Sequence, residues 1–88
     1  MYCILVYDIN SKRVQKMLKL VRKYLHWIQN SVFEGEITQA KLKEMLEKAK
    51  SIMHCDEDSL IIFQLRSNYY LEKLVVGVEK EDLTSNFL

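Results

Sequence analysis

Six residues at the start of the chain, Tyr2-Cys3-Ile4-Leu5-Val6-Tyr7, are apolar, β-branched or aromatic without a break. A half-exposed strand alternates apolar and polar residues. A strand without alternation is covered on both faces and lies inside a sheet. The rest of the chain must therefore supply strands on both sides of it and cover for its faces. There is no proline and there are only two glycines in 88 residues. Nearly every residue must then sit in a helix, a strand or a tight turn, and no flexible linker is available. This length suits a single domain, residues 1–88.

The run ends at Asp8-Ile9-Asn10-Ser11, where Asn10 or Ser11 can cap a helix. Val14, Met17, Leu18, Val21 and Leu25 fall at helical spacing and predict a helix over about 12–24. Residues 26–37 look extended. They read either as a short hairpin turning at Gln29-Asn30 or as one bent strand. Thr38 caps a second helix, about 39–53, with Leu42, Met45, Leu46, Ala49, Ile52 and Met53 on its apolar face. The loop His54–Asp58 leads into a fully apolar strand over 59–65. Asn68-Tyr69-Tyr70 then turns the chain into a last strand, about 72–78.

The order β-α-β-β-α-β, with extra β at the end, is the ferredoxin-like pattern of the α+β class. Two helices cover one face of the antiparallel sheet. The other face would be bare, and a domain this small needs that burial. A second copy is the simplest cover, so a homodimer is expected. The apolar tail, about 83–88, is a candidate strand for docking on the partner protomer.

The net charge of +1 hides an uneven distribution. Lys12, Arg13, Lys16, Lys19, Arg22 and Lys23 are six of the 13 basic residues, with no acid among them. Such a helix is either a solvated face or a surface for nucleic-acid phosphates, and the missing acids favour the second. No apolar run approaches the roughly 20 residues of a membrane span. The N-terminus has no basic leader, so the chain is expected in the cytoplasm, with Cys3 and Cys55 reduced.

Asp8 is the first candidate for chemistry. At a strand end it is either a turn-forming residue or a functional carboxylate. Mg²⁺ takes one or two carboxylates together with waters and phosphate oxygens. A two-fold axis would bring Asp8 beside its own copy, and two close carboxylates repel unless a cation lies between them. His26, His54 and the run His54-Cys55-Asp56 read as structural, since adjacent residues converge poorly on one metal. Trp27, Tyr69 and Tyr70 could stack on bases, but packing is the commoner use. A ligand sensor or toxin-like RNase would need a pocket for which no residues stand out.

Tyr7-Asp8-Ile9 after the first strand, followed by Ile28-Gln29-Asn30-Ser31-Val32-Phe33-Glu34-Gly35 before the second helix, resembles the CRISPR-associated Cas-two family. Asp58-Ser59-Leu60-Ile61-Ile62-Phe63 and Leu74-Val75-Val76-Gly77 are similar to it as well, in order and spacing. The resemblance implies a ferredoxin-like homodimer working in spacer acquisition. It implies the CRISPR integrase as partner, with the dimer bridging integrase dimers on DNA. For some members it implies Mg²⁺-dependent cleavage of RNA or DNA, with Asp8 of each protomer as catalytic residue and metal ligand. Lys12, Arg13 and Lys16 would contact nucleic acid, Arg13 matching a basic residue of the family. Tyr7, Ser31 and Phe33 would support the site. A non-catalytic adaptor on DNA is the alternative. Asn10-Ser11 and Trp27 depart from the family pattern.

Overall fold

The computed structural model describes residues 1–65 and 71–78. Its elements are β1 (Tyr2–Asp8), α1 (Val14–Val21), β2 (His26–Gln29), β3 (Val32–Glu36), α2 (Gln39–Ile52), β4 (Ser59–Leu65) and β5 (Leu71–Gly77). The strands form one sheet in the order β2-β3-β1-β4-β5, and every pairing is antiparallel. The expected α+β fold is present, with β1 in the centre and β5 added outside β4. The turn at Asn68–Tyr70, the aromatic pair Tyr69 and Tyr70, and the tail 83–88 lie outside the described residues. No helix among the described residues is long and apolar enough to cross a membrane.

The core lies between the helices and one face of the sheet. Cys3, Leu5 and Tyr7 of β1, Phe33 of β3 and Leu60 and Ile62 of β4 point to it by the two-residue alternation of a strand. Met17, Leu20 and Val21 of α1 and Leu42, Met45 and Ala49 of α2 meet them. Leu20 completes a stripe that the spacing only partly reveals. Tyr24, in the turn after α1, ties that segment to α2: its hydroxyl donates to Glu44 Oε2 at 2.6 Å and accepts from Lys48 Nζ at 3.0 Å.

Several boundaries differ from the sequence reading. The segment 26–37 is a hairpin, but its turn is Asn30-Ser31, one residue later than expected. Asn30 takes a positive φ of 46°, which asparagine tolerates. The Trp27 indole N–H holds the turn from the side by donating to the Asn30 carbonyl at 2.8 Å. Helix α1 is shorter than 12–24. At its end, Lys23 and Tyr24 bond three residues back, to Leu20 and Val21, tightening the chain into turns. At its start neither Asn10 nor Ser11 caps it. The N-cap position is Arg13, which makes no side-chain cap bond. Thr38 does cap α2, accepting from the Lys41 amide at 3.1 Å. Cys3 is buried and Cys55 is exposed, and the two are not disulfide-bonded.

The second sheet face carries Ile4, Val6 and Asp8 of β1, opposite Phe63, Ile61 and Ser59 of β4. It is not bare in the single chain. Val6, Ile61 and Phe63 on it are buried. Leu65, at one end of this face, remains exposed.

Candidate functional site

Asp8 is the last residue of β1 rather than the first beyond it, and it pairs with Ser59 of β4. Tyr7 and Ile9 on either side are in the core, which holds the backbone while the Asp8 side chain is exposed. An open depression of about 260 Å³ lies there, lined by Asp8, Ile9, Asn10, Glu57 and Asp58. Tyr7 and Phe33 pack against each other in the core, ring centroids 5.6 Å apart and tilted by 34°. Burial pushes the Tyr7 hydroxyl pKa up, so it stays protonated at neutral pH. Ser31 contributes through its carbonyl, which accepts from the Tyr7 amide at 3.1 Å.

The depression contains a second, very different aspartate. Asp58 is only 1% exposed. Its Oδ1 accepts from the Asn10 amide at 2.9 Å and from Arg13 Nη2 at 3.1 Å. Its Oδ2 accepts from Arg13 Nε at 2.7 Å and from the His54 amide at 2.9 Å. A guanidinium presenting two N–H groups matches the spacing of carboxylate oxygens, which makes such a pair both strong and directional. The Arg13 hydrogen bonds hold the Asp58 carboxyl far below the usual carboxylate range. The His54 and Asn10 amides add to this, against the opposing effect of burial. Glu57 grips the same guanidinium from outside.

The backbone of Asp58 is equally occupied. Its amide donates to the His54 carbonyl at 2.7 Å, and its carbonyl accepts from the Val78 amide at 3.0 Å. Gly77, at φ +90°, makes that approach possible, because a Cβ there would lie 2.1 Å from the Asp58 carbonyl oxygen. Three segments far apart in sequence thus meet on one residue: the β1–α1 turn, the α2–β4 loop and the end of β5.

The basic residues divide in the same way. Arg13 is drawn inward by Asp58 and Glu57, so its guanidinium serves the protein's own loop in the single chain. Lys12, Lys16, Lys19, Arg22 and Lys23 are exposed. Lys12 follows an Asx turn in which its amide donates to Asn10 Oδ1 at 3.0 Å.

For a cation, the depression offers few ligands. Asp58 and Glu57 both hold the Arg13 guanidinium, and Asp8 lines the depression from the strand. Among the described residues no three His, Cys, Asp or Glu side chains group as a metal site. Ser59, directly across from Asp8, keeps a buried hydroxyl with no hydrogen-bond partner among the described residues. One carboxylate, waters and phosphate oxygens suit Mg²⁺, and a second carboxylate from another chain would suit it better.

The family resemblance named Tyr7 and Phe33 as supports of Asp8, and these two rings pack together in the core. The spacing of the sequence did not reveal Asp58, which reads as one of three consecutive loop acids.

The family model for CRISPR associated protein Cas2 matches residues 1–73. A protein of Dictyoglomus turgidum named CRISPR-associated endoribonuclease Cas2 is 48% identical over 80 residues, covering 91% of this chain and 92% of its own. One of the same name from Methanocaldococcus jannaschii is 43% identical over 83 residues, covering 94% and 73%. A crystal structure of Cas2 superposes with a TM-score of 0.68 at 40% identity, covering 92% of this chain and 91% of the other. Streptococcus pyogenes Cas2 gives a TM-score of 0.69 at 29% identity, over 78% and 90%. The central β1 ending in Asp8, the five-stranded antiparallel sheet and these matches together establish that the chain belongs to the CRISPR-associated protein Cas2 family.

Proposed function

We propose that this protein is a metal-dependent endoribonuclease of CRISPR adaptation, acting as a homodimer in the cytoplasm with Asp8 of each protomer at the site. The observation that carries this is the position of Asp8: exposed at the end of a buried central strand, on the sheet face away from the helices, beside a depression. The endoribonuclease names of the relatives support the reaction class. A copy docked on that same face would bring two Asp8 side chains together. The tail 83–88 would help to hold the copies.

Bound there, Mg²⁺ would neutralise phosphate charge and supply a water nucleophile at neutral pH. The chain's own residues do the rest. Asp8 would hold the metal at the strand end, where the reacting phosphate would meet it. Lys12 and Lys16 contact flanking phosphates, and their interactions weaken with salt. Tyr7 and Phe33 form an apolar floor that fixes the backbone of Asp8. Arg13 shapes the turn between Asp8 and the lysines.

A second reading is favoured by the small ligand set and the exposed basic residues of α1: a non-catalytic adaptor that clamps DNA and bridges dimers of the CRISPR integrase. Wild type and Asp8→Ala are compared for cleavage of single-stranded RNA and duplex DNA, with Mg²⁺ and with chelator. Both are also assayed for spacer integration with the integrase. Mg²⁺-dependent cleavage lost in the variant is the expected result. Equal cleavage by both proteins, or none by wild type, removes the enzyme reading. Integration that survives in the variant then leaves the adaptor.

A further inference from the structure

We propose that Asp58 is a positioning residue for cleavage at Asp8, a role that rests on Asp8 being the reactive site. Asp58 and Ser59 hold Asp8 from two directions. Ser59 pairs with it across the β1–β4 ladder. Asp58 takes the Asn10 amide, two residues after Asp8, and clamps Arg13 at the entry to α1. The turn carrying Asp8 toward the lysines is thereby tied to the centre of the sheet rather than left to its own local bonds.

Helix entry alone does not need this arrangement. One Ser, Asp or Asn at the N-cap satisfies the first turn with a single hydrogen bond. Here α1 has no side-chain cap. A buried carboxylate 45 residues away from Arg13 does the work through three donor contacts, one from the Asn10 amide and two from the Arg13 guanidinium. The pairing also removes a charge from the depression. Arg13 offsets one of the two carboxylate charges it holds and occupies the Asp58 oxygens, so Asp58 does not draw a cation away from Asp8. Arg13 in turn is kept beside the site without occupying it. The Val78 amide and the close approach of Gly77 fix Asp58 from behind.

The test uses the full chain with Mg²⁺ and a single-stranded RNA, comparing wild type with Asp58→Asn, Asp8→Asn and Tyr24→Phe. Tyr24→Phe removes two hydrogen bonds between the turn after α1 and α2, away from the depression, and controls for lost stability. All rates are taken below the onset of unfolding of each variant. We expect Asp58→Asn to lower kcat by about 10–100-fold, with Mn²⁺ affinity measured by calorimetry falling in parallel. The KM for RNA stays within about twofold of wild type, and the Asn10 amide exchanges faster with solvent. Tyr24→Phe keeps wild-type kcat.

A folded Asp58→Asn with wild-type kcat and Mn²⁺ affinity, beside an inactive Asp8→Asn, overturns this proposal alone. So does a kcat loss that Tyr24→Phe reproduces. If Asp58→Asn does not fold, Arg13→Lys replaces it, keeping the charge but not the paired N–H groups. Wild-type kcat in that variant is equally fatal. Full cleavage by Asp8→Asn overturns the assignment of Asp8 itself, and the positioning role with it.

Discussion

Asp8 and Asp58 line the same depression and have opposite physical lives. Asp8 is exposed at the end of a strand whose flanking residues are buried. Asp58 is 1% exposed and takes hydrogen bonds from Asn10, Arg13 and His54. A carboxylate in the first situation can meet a ligand from solvent. One in the second has its lone pairs occupied and its charge matched, so it can only organise its surroundings. The contrast teaches that proximity to a cleft does not make a carboxylate reactive. What matters is whether solvent and ligand can reach it.

The contrast breaks most visibly through stability. Asp58→Ala leaves the Arg13 guanidinium without its buried partner. It should destabilise the fold by about 3–5 kcal/mol, read from denaturant midpoints. Asp8→Asn should change stability by less than about 0.5 kcal/mol, as an exposed substitution does. If the two variants unfold together, the distinction between them is wrong.

In activity the order reverses. Asp8→Asn should reduce Mg²⁺-dependent RNA cleavage by about 10²–10³-fold at unchanged fold, measured by initial rates.

Acid sharpens the comparison further. The folded-state pKa of Asp58 lies below its ordinary value of 3.8. Its ionised form therefore stabilises the fold fully above that ordinary value. The contribution is lost as pH falls below 3.8 toward the lowered pKa. The stability gap between wild type and Asp58→Asn should be constant near neutrality and narrow below about pH 4, in urea titrations over a pH series. A gap that widens in acid would contradict the ion pair.

Smaller effects separate the two kinds of basic residue. Replacing Lys12 and Lys16 by Gln should leave folding intact. It should also lower the salt dependence of RNA binding by about 0.7 in logarithmic slope per lost contact. Unchanged slopes would remove these lysines from the interface. Tyr24→Phe, remote from both aspartates, should cost about 1 kcal/mol and spare cleavage.

Much of this was legible in the residue order. The unbroken run from Tyr2 to Tyr7 marked β1 as central, and β1 does lie between β3 and β4. Thr38 announced the start of α2 because a hydroxyl at that position answers an amide three residues on. The hairpin was harder. The sequence allowed a turn at Gln29-Asn30 or a single bent strand, and the positive φ of Asn30 with the Trp27 bond set a turn one residue later. The entry to α1 misled for a related reason. Asn10 and Ser11 look like caps, but Asn10 spends its carbonyl on Arg13 and its side chain on Lys12 in a turn.

The chain's pattern by itself determined the elements, their order and the acidic end of the first strand. Those follow from hydrophobic period and local hydrogen-bonding chemistry, which act over a few residues. Only the tertiary structure decided which loop acid matters. Arg13 and Asp58 are 45 positions apart, and they meet because the sheet sets β4 beside β1. Gly77, from a third segment, gives the backbone room to close on them. No local pattern encodes such a meeting, because it depends on strand order and register, and these are chosen by the packing of the whole core.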